Sequence, residues 1–145
     1  MARIERSIET KAPVEKVWAF MSDLEKWPTF MKSIKKVEYL TEKRSGIGAK
    51  THFVVESSGQ QIEWEADFTE WVEKKKVAWR STSGLKNNGY WSLELTHIGT
   101  RITFMMDYEL PGSVLGKIID RLKVEKDFTK SVDESLEAAK RILEG

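Results

Sequence analysis

The chain has 145 residues, 24 basic and 23 acidic side chains, a net charge of +1 and no cysteine. That composition excludes a disulfide scaffold, thiol catalysis and cysteine-ligated metal, and charge this evenly balanced gives no electrostatic footprint for nucleic acid. The length suffices for one domain, residues 1–145, with a core that needs no staples. Neither the opening "MARIERSIET" nor any later run has the apolar content of a signal peptide or a membrane span, so a soluble, cytoplasmic protein without stable membrane insertion is expected.

In chain order, "RIERSIET" (3–10) alternates as a strand. After "KAP", the apolar spacing of Val14, Val17, Trp18, Phe20, Met21 and Leu24 predicts a short amphipathic helix. Pro28 in "EKWPTFMKSI" suits the first turn of a second short helix. From "KKVEYLTE" (35–42) the period becomes two and stays so for some seventy residues. Turn signals divide this stretch at "KRSGIG" (43–48), "SSGQ" (57–60), "EKKK" (73–76), "SGLKNNG" (83–89) and "HIGT" (97–100), giving six further strands. Loops this short join antiparallel neighbours. Beyond "LPGS" (110–113) the period turns helical, and a single long helix from about Val114 to Leu143 is expected.

Sizes then decide the architecture. Seven strands at about 4.8 Å spacing make a sheet roughly 30 Å wide, whereas one helix is about 10–12 Å across. The helix cannot cover such a sheet laid flat. The sheet must therefore curl around the helix, with the two short helices closing one end, and that arrangement leaves room inside for a guest.

This order of elements, with "APVEKVWAFMSDLEKWPTF" (12–30), "VAWRSTSGLKNNGYWSLEL" (77–95), "GTRITFMMDYELPGSVLG" (99–116) and "LEAAKRILE" (136–144), resembles the START/Bet v1-like (SRPBCC) superfamily. Within it the chain is most similar to the polyketide cyclase/dehydrase and coenzyme Q-binding branch. The resemblance spans essentially the whole chain. It implies an α+β helix-grip fold: a seven-stranded curved antiparallel sheet wrapped on a long C-terminal helix around a hydrophobic cavity. It does not imply one activity, because the superfamily holds carriers as well as enzymes.

Strand parity assigns Trp64, Ala66 and Phe68, then Val77, Trp79 and Ser81, then Trp91, Leu93 and Leu95, then Ile102, Phe104, Met106 and Tyr108 to the concave face. From the long helix Leu115, Ile118, Leu122, Phe128 and Val132 are expected to face inward. A core built only for packing favours Leu, Ile and Val, while this face is rich in Trp, Phe, Met and Tyr, which suit a flat or flexible apolar guest. Trp79, Trp91, Phe104 and Met106 are read as pocket wall, Trp64 as wall or core, and Trp18 and Trp27 as clamps on the short helices.

Catalytic chemistry is thinly represented. His52 and His97 fall on surface positions, and no Ser-His-Asp set, metal-ligand spacing or carboxylate pair lies on the concave parity. Hydroxyls remain (Ser81, Tyr108, Thr51), with Arg6 and Arg80 near a rim, so no catalytic residue is assigned and no metal or other cofactor is expected. The expected function is binding of a small hydrophobic molecule: a lipid, isoprenoid or quinone, polyketide or aromatic metabolite. The alternatives are a cyclase or dehydrase using the same cavity, and a co-chaperone-like or ribosome-associated interaction module.

Overall fold

The computed structural model describes residues 2–109, 113–114, 117–118 and 121–145. Strand β1 (Ala2–Thr10) leads into helix α1 (Val14–Met21), a 3-10 turn (Leu24–Lys26) and helix α2 (Trp27–Phe30). Six strands follow: β2 (Ile34–Tyr39), β3 (Lys50–Ser57), β4 (Gln60–Val72), β5 (Lys76–Gly84), β6 (Lys86–Leu95) and β7 (Thr100–Glu109). A two-stranded ladder, β8 (Ser113–Val114) with β9 (Lys117–Ile118), precedes helix α3 (Arg121–Glu144). The seven long strands form one antiparallel sheet in the order β1-β7-β6-β5-β4-β3-β2. This is the helix-grip arrangement that the family resemblance implies, with the antiparallel sheet and C-terminal helix expected from the period change.

The short helices form for local reasons. Val17, Phe20 and Met21 bury one face of α1, the Asp23 carboxylate accepts from the Glu25 backbone N–H at 3.1 Å and caps the 3-10 turn, and Pro28 sits in the first turn of α2. Helix α3 buries Val124, Phe128, Val132, Leu136, Ala139 and Leu143 along one stripe.

The long helix starts later than the apolar spacing suggests. Residues 113–114 and 117–118 pair as strands, so the helical period running through 115, 118 and 122 does not correspond to helix there. Leu115 lies outside the described residues, and Ile118 pairs with Ser113 in the small ladder. Leu122, expected inside, is 62% exposed: it stands two residues before Val124, about 200° around the helix from the buried stripe. Leu95, also expected inside, is 77% exposed beside the 96–99 turn.

Two turn signals have a different use. The segment read as a turn over 83–89 contains a single residue between strands, Leu85, while Asn87, Asn88 and Gly89 lie within β6. In β4 the register shifts between Glu65 and Ala66 and again between Phe68 and Glu70. The second bulge changes the parity, so Trp71 packs on Phe68 and Trp18 at ring distances of 5.1 and 5.9 Å.

The end of α3 is tied to the β1–α1 corner. The Glu144 carboxylate accepts from the Thr10 hydroxyl at 2.7 Å and the Lys11 backbone N–H at 3.0 Å, and the Lys16 ammonium donates to the Leu143 carbonyl at 2.7 Å. The Lys11 N–H first, then the Thr10 hydroxyl, holds the Glu144 carboxyl below its ordinary 4.5. Such a group binds fewer protons folded than unfolded, so its contribution to stability is complete above about pH 4.5 and is lost as the pH falls through the folded value. Glu144→Gln should therefore lower the urea midpoint at pH 6, with the deficit relative to the parent shrinking toward pH 3. A deficit independent of pH would place the tie in the hydrogen-bond geometry alone.

Candidate functional site

Between the concave face, α2 and α3 lies a partly open cavity of about 40 Å³. Its wall is Trp27 and Met31 from α2 and the residue after it, Ser33 and Ile34 at the start of β2, Phe53 and Val55 on β3, Trp64 on β4, Trp79 on β5, Trp91 on β6, Phe104 and Met106 on β7, and Phe128 on α3. Ser33 is the one polar side chain among them.

Alternation explains why these residues share the space. Cross-strand partners such as Phe53 with Trp64 and Trp91 with Phe104 point to the same face. Their rings pack at 5.3 and 4.7 Å. Trp27 reaches in from α2 to stack on Phe53 at 6.0 Å and meet Trp79 and Trp91 edge-on. The rings thus touch one another over much of their surface, and the open space is what they leave between them.

Six of the side chains expected at a site line this cavity: Trp64, Trp79, Trp91, Phe104, Met106 and Phe128. Phe68, Leu93 and Val132 are buried elsewhere in the core. Tyr108 is fully buried against Phe128, with ring centres 5.2 Å apart. Ser81 faces a different task, because its hydroxyl oxygen accepts from the Asn87 backbone N–H at 2.9 Å. Asn87, fully buried, also accepts from the Trp79 indole at 2.8 Å and donates to the Leu85 carbonyl at 2.8 Å. It orients a wall residue, although its sequence context reads as a turn.

The parity analysis of β4 to β7 missed the other side of the cavity. Phe53 and Val55 were legible in the alternation of "THFVVES". Trp27, expected only as a clamp, is also wall. Its indole does clamp, donating to the Met21 carbonyl at 2.9 Å.

Of the charged groups expected near a rim, Arg6 pairs with Asp133 at 3.4 Å and Arg80 is exposed. His52 lies between Glu38 and Glu63 at 3.2 and 3.4 Å on the convex face. The Thr51 hydroxyl is buried and donates to the Ala66 carbonyl at 3.4 Å. Burial first, and the Glu125 charge second, push the Tyr108 phenol up to about 12. It remains an O–H across the physiological range. Among the described residues no helix is long and apolar enough to cross a membrane.

Comparison with known proteins agrees with this architecture. An uncharacterised 17.2 kDa protein of Streptomyces lincolnensis is 29% identical over 148 residues, covering 99% of this chain and 91% of that one. The crystal structure of the ZhuI aromatase/cyclase of Streptomyces sp. R1128 superposes with a TM-score of 0.83 at 19% identity, over 99% of this chain and 93% of that one. A START superfamily protein of Mycobacterium smegmatis gives 0.77 at 19% identity, over 98% and 97%. Residues 1–144 match the family described as polyketide cyclase / dehydrase and lipid transport, and the chain belongs to that family.

Proposed function

We propose that the protein binds a small hydrophobic molecule in the space between the sheet and α3. The observation that carries this reading is the cavity with a wall of aromatic, methionine and aliphatic side chains and only Ser33 otherwise. At about 40 Å³ it is well below the roughly 300 Å³ or more of a drug-sized site. Binding must therefore widen it, and unbranched Met31 and Met106 are wall residues able to repack around a guest. A cyclase or dehydrase would use the same space. The binding reading is favoured because the wall presents no ionisable group, and a phenol at about 12 is far from the near-neutral value that suits proton transfer.

Nile red, a neutral solvatochromic dye, should bind and change tryptophan emission, because four of the wall residues are indoles. The affinity should not fall steeply with salt, since no cationic site takes part. Val55→Ile adds one methylene at the wall. It should leave stability unchanged or raise it by up to about 0.8 kcal/mol while weakening dye binding about fourfold, a methylene's worth of burial. Dye titration and urea denaturation of the same variant decide the matter: clear destabilisation with unchanged binding would make the interior a closed core and defeat the proposal.

A further inference from the structure

Among the described residues seven large aliphatic side chains are exposed, and six of them stand at one end of the molecule. Neighbouring strands run in opposite directions, so every second connection returns to the same rim of the sheet. The register fixes which ones: Tyr39 pairs with Thr51, Lys50 with Asp67, Val72 with Lys76, Lys76 with Ser92, Leu95 with Thr100, and Thr100 with Thr10. The 40–49 loop, the 73–75 turn, the 96–99 turn and the end of β1 therefore share one rim. Glu144, bonded to Thr10, brings the end of α3 to it as well. Leu40 and Ile47 lie on the loop, Val72 enters the second connection, Leu95 and Ile98 belong to the third, and Ile142 is in the last turn of α3. Leu122, near the start of α3, is the exception.

A single exposed aliphatic side chain calls for no explanation. Six on one rim, from 45% exposed for Val72 to 77% for Leu95, do. They come from four separate segments along a curved edge, and one broad, deformable partner reaches them together. Basic side chains stand among them: Lys11, Lys43, Lys74, Lys75 and Arg141 are exposed and form no ion pair among the described residues. Of the acids on the same segments, Glu144 is already held by the Thr10 hydroxyl and the Lys11 N–H, which leaves Glu42 and Glu73. The balance favours a negatively charged partner. Aliphatic side chains ringed by lysine and arginine are what adsorption to the headgroup layer of an anionic bilayer requires.

We propose that this rim docks reversibly on an anionic lipid surface, its aliphatic side chains entering the headgroup layer while the bases meet lipid phosphates. The contact is peripheral, made by turns and a helix end, and needs no membrane-spanning element. It is independent of what the cavity binds.

Co-sedimentation with vesicles of phosphatidylcholine alone, and of an equal mixture with phosphatidylglycerol, tests this. The parent should bind the anionic mixture at least tenfold more strongly than phosphatidylcholine. Leu95→Ser and Ile98→Ser should each weaken binding to the mixture about tenfold. Lys74→Gln should weaken it about fivefold, on the mixture only. Leu122→Ser, at the opposite end and equally exposed, should change nothing. All four positions are exposed, so thermal midpoints near the parent's show that the variants stay folded. A parent that stays in solution with both kinds of vesicle would overturn the proposal, and so would a Leu122→Ser loss as large as that of Leu95→Ser. A dimer in sedimentation velocity that Leu95→Ser dissociates, without vesicle binding, would assign the rim to a second copy of the chain and overturn it too.

Discussion

Trp91→Ala should cost about 3–5 kcal/mol of stability, measured by urea or guanidinium denaturation. The ring is 2% exposed and packs on Phe104, Phe30 and Trp27 at centroid distances of 4.7, 6.0 and 6.2 Å. Truncation removes the largest fully buried side chain of the sheet and merges the vacated volume with the existing cavity. Two terms oppose the loss: the small cavity already denies the ring some partners, and deleting an unpaired indole N–H removes its desolvation cost. Neither matches three ring contacts, so the value belongs in this range. A loss under about 2 kcal/mol would mean that Trp91 borders far more open space than the ring distances imply.

Gly89→Ala should be nearly as damaging, at about 3 kcal/mol, the upper end of ordinary overpacking. A Cβ at this position would stand 2.2 Å from the Met105 carbonyl oxygen, 2.8 Å from Cζ2 of Trp79 and 3.0 Å from the Met106 Cα. The tightest of these contacts is with backbone on the neighbouring strand, which yields only if β6 and β7 part. Trimming the ring therefore gives little relief. Trp79→Phe in the Gly89→Ala background should restore almost none of the lost thermal midpoint, and a large restoration would show the ring to be the true obstacle.

The sheet was legible because period-two alternation persists over some seventy residues, and its short loops admit only antiparallel neighbours. The curl of the sheet around the long helix followed from the mismatch between sheet width and helix diameter, and the helix-grip fold was what the family resemblance implied. What escaped was information that periodicity does not carry. Residues 115, 118 and 122 continue a helical spacing, yet hydrogen bonding between 113–114 and 117–118 interrupts it, and α3 begins afresh with Val124 as its first buried residue. The bulge between Phe68 and Glu70 brings Trp71 onto Phe68 from the other parity. Asn87 and Gly89 read as turn residues because those types usually are. Here one is a buried hydrogen-bond hub, and the other permits close approach of two strands.

At the site, the strand walls Trp79, Trp91, Phe104 and Met106 were visible as an aromatic and methionine face. Phe53 and Val55 alternate as plainly in "THFVVES", outside the strands β4 to β7 to which the parity analysis was confined, whereas Trp27 as wall was hidden, because it depends on how α2 docks against the sheet, a tertiary property with no local signature. Three buried donors without a partner among the described residues, the Trp64 and Trp91 indoles and the Tyr108 hydroxyl, were equally hidden. A tryptophan's type announces its ring, whereas whether its N–H finds an acceptor is settled by neighbours from distant parts of the chain.

The tie between Glu144 and the β1–α1 corner also bears on the order in which the molecule assembles. Thr10 and Glu144 are 134 positions apart, and the Arg3–Asp107 pair that links β1 to β7 spans 104. β1, synthesised before the other six strands of its sheet, is thus among the last to find its partner: it must wait for Thr100–Glu109 to emerge, and its tie to the end of α3 waits longer still. Such distant pairings pay their loop-closure entropy before any contact repays it, which slows folding. Throughout synthesis Ile4 and Ile8, which end against the core, remain without their native cover. The charged residues of "RIERSIET", Arg3, Glu5, Arg6 and Glu9, offer this waiting strand a measure of protection, since charged side chains along an uncovered strand discourage premature pairing with another nascent chain.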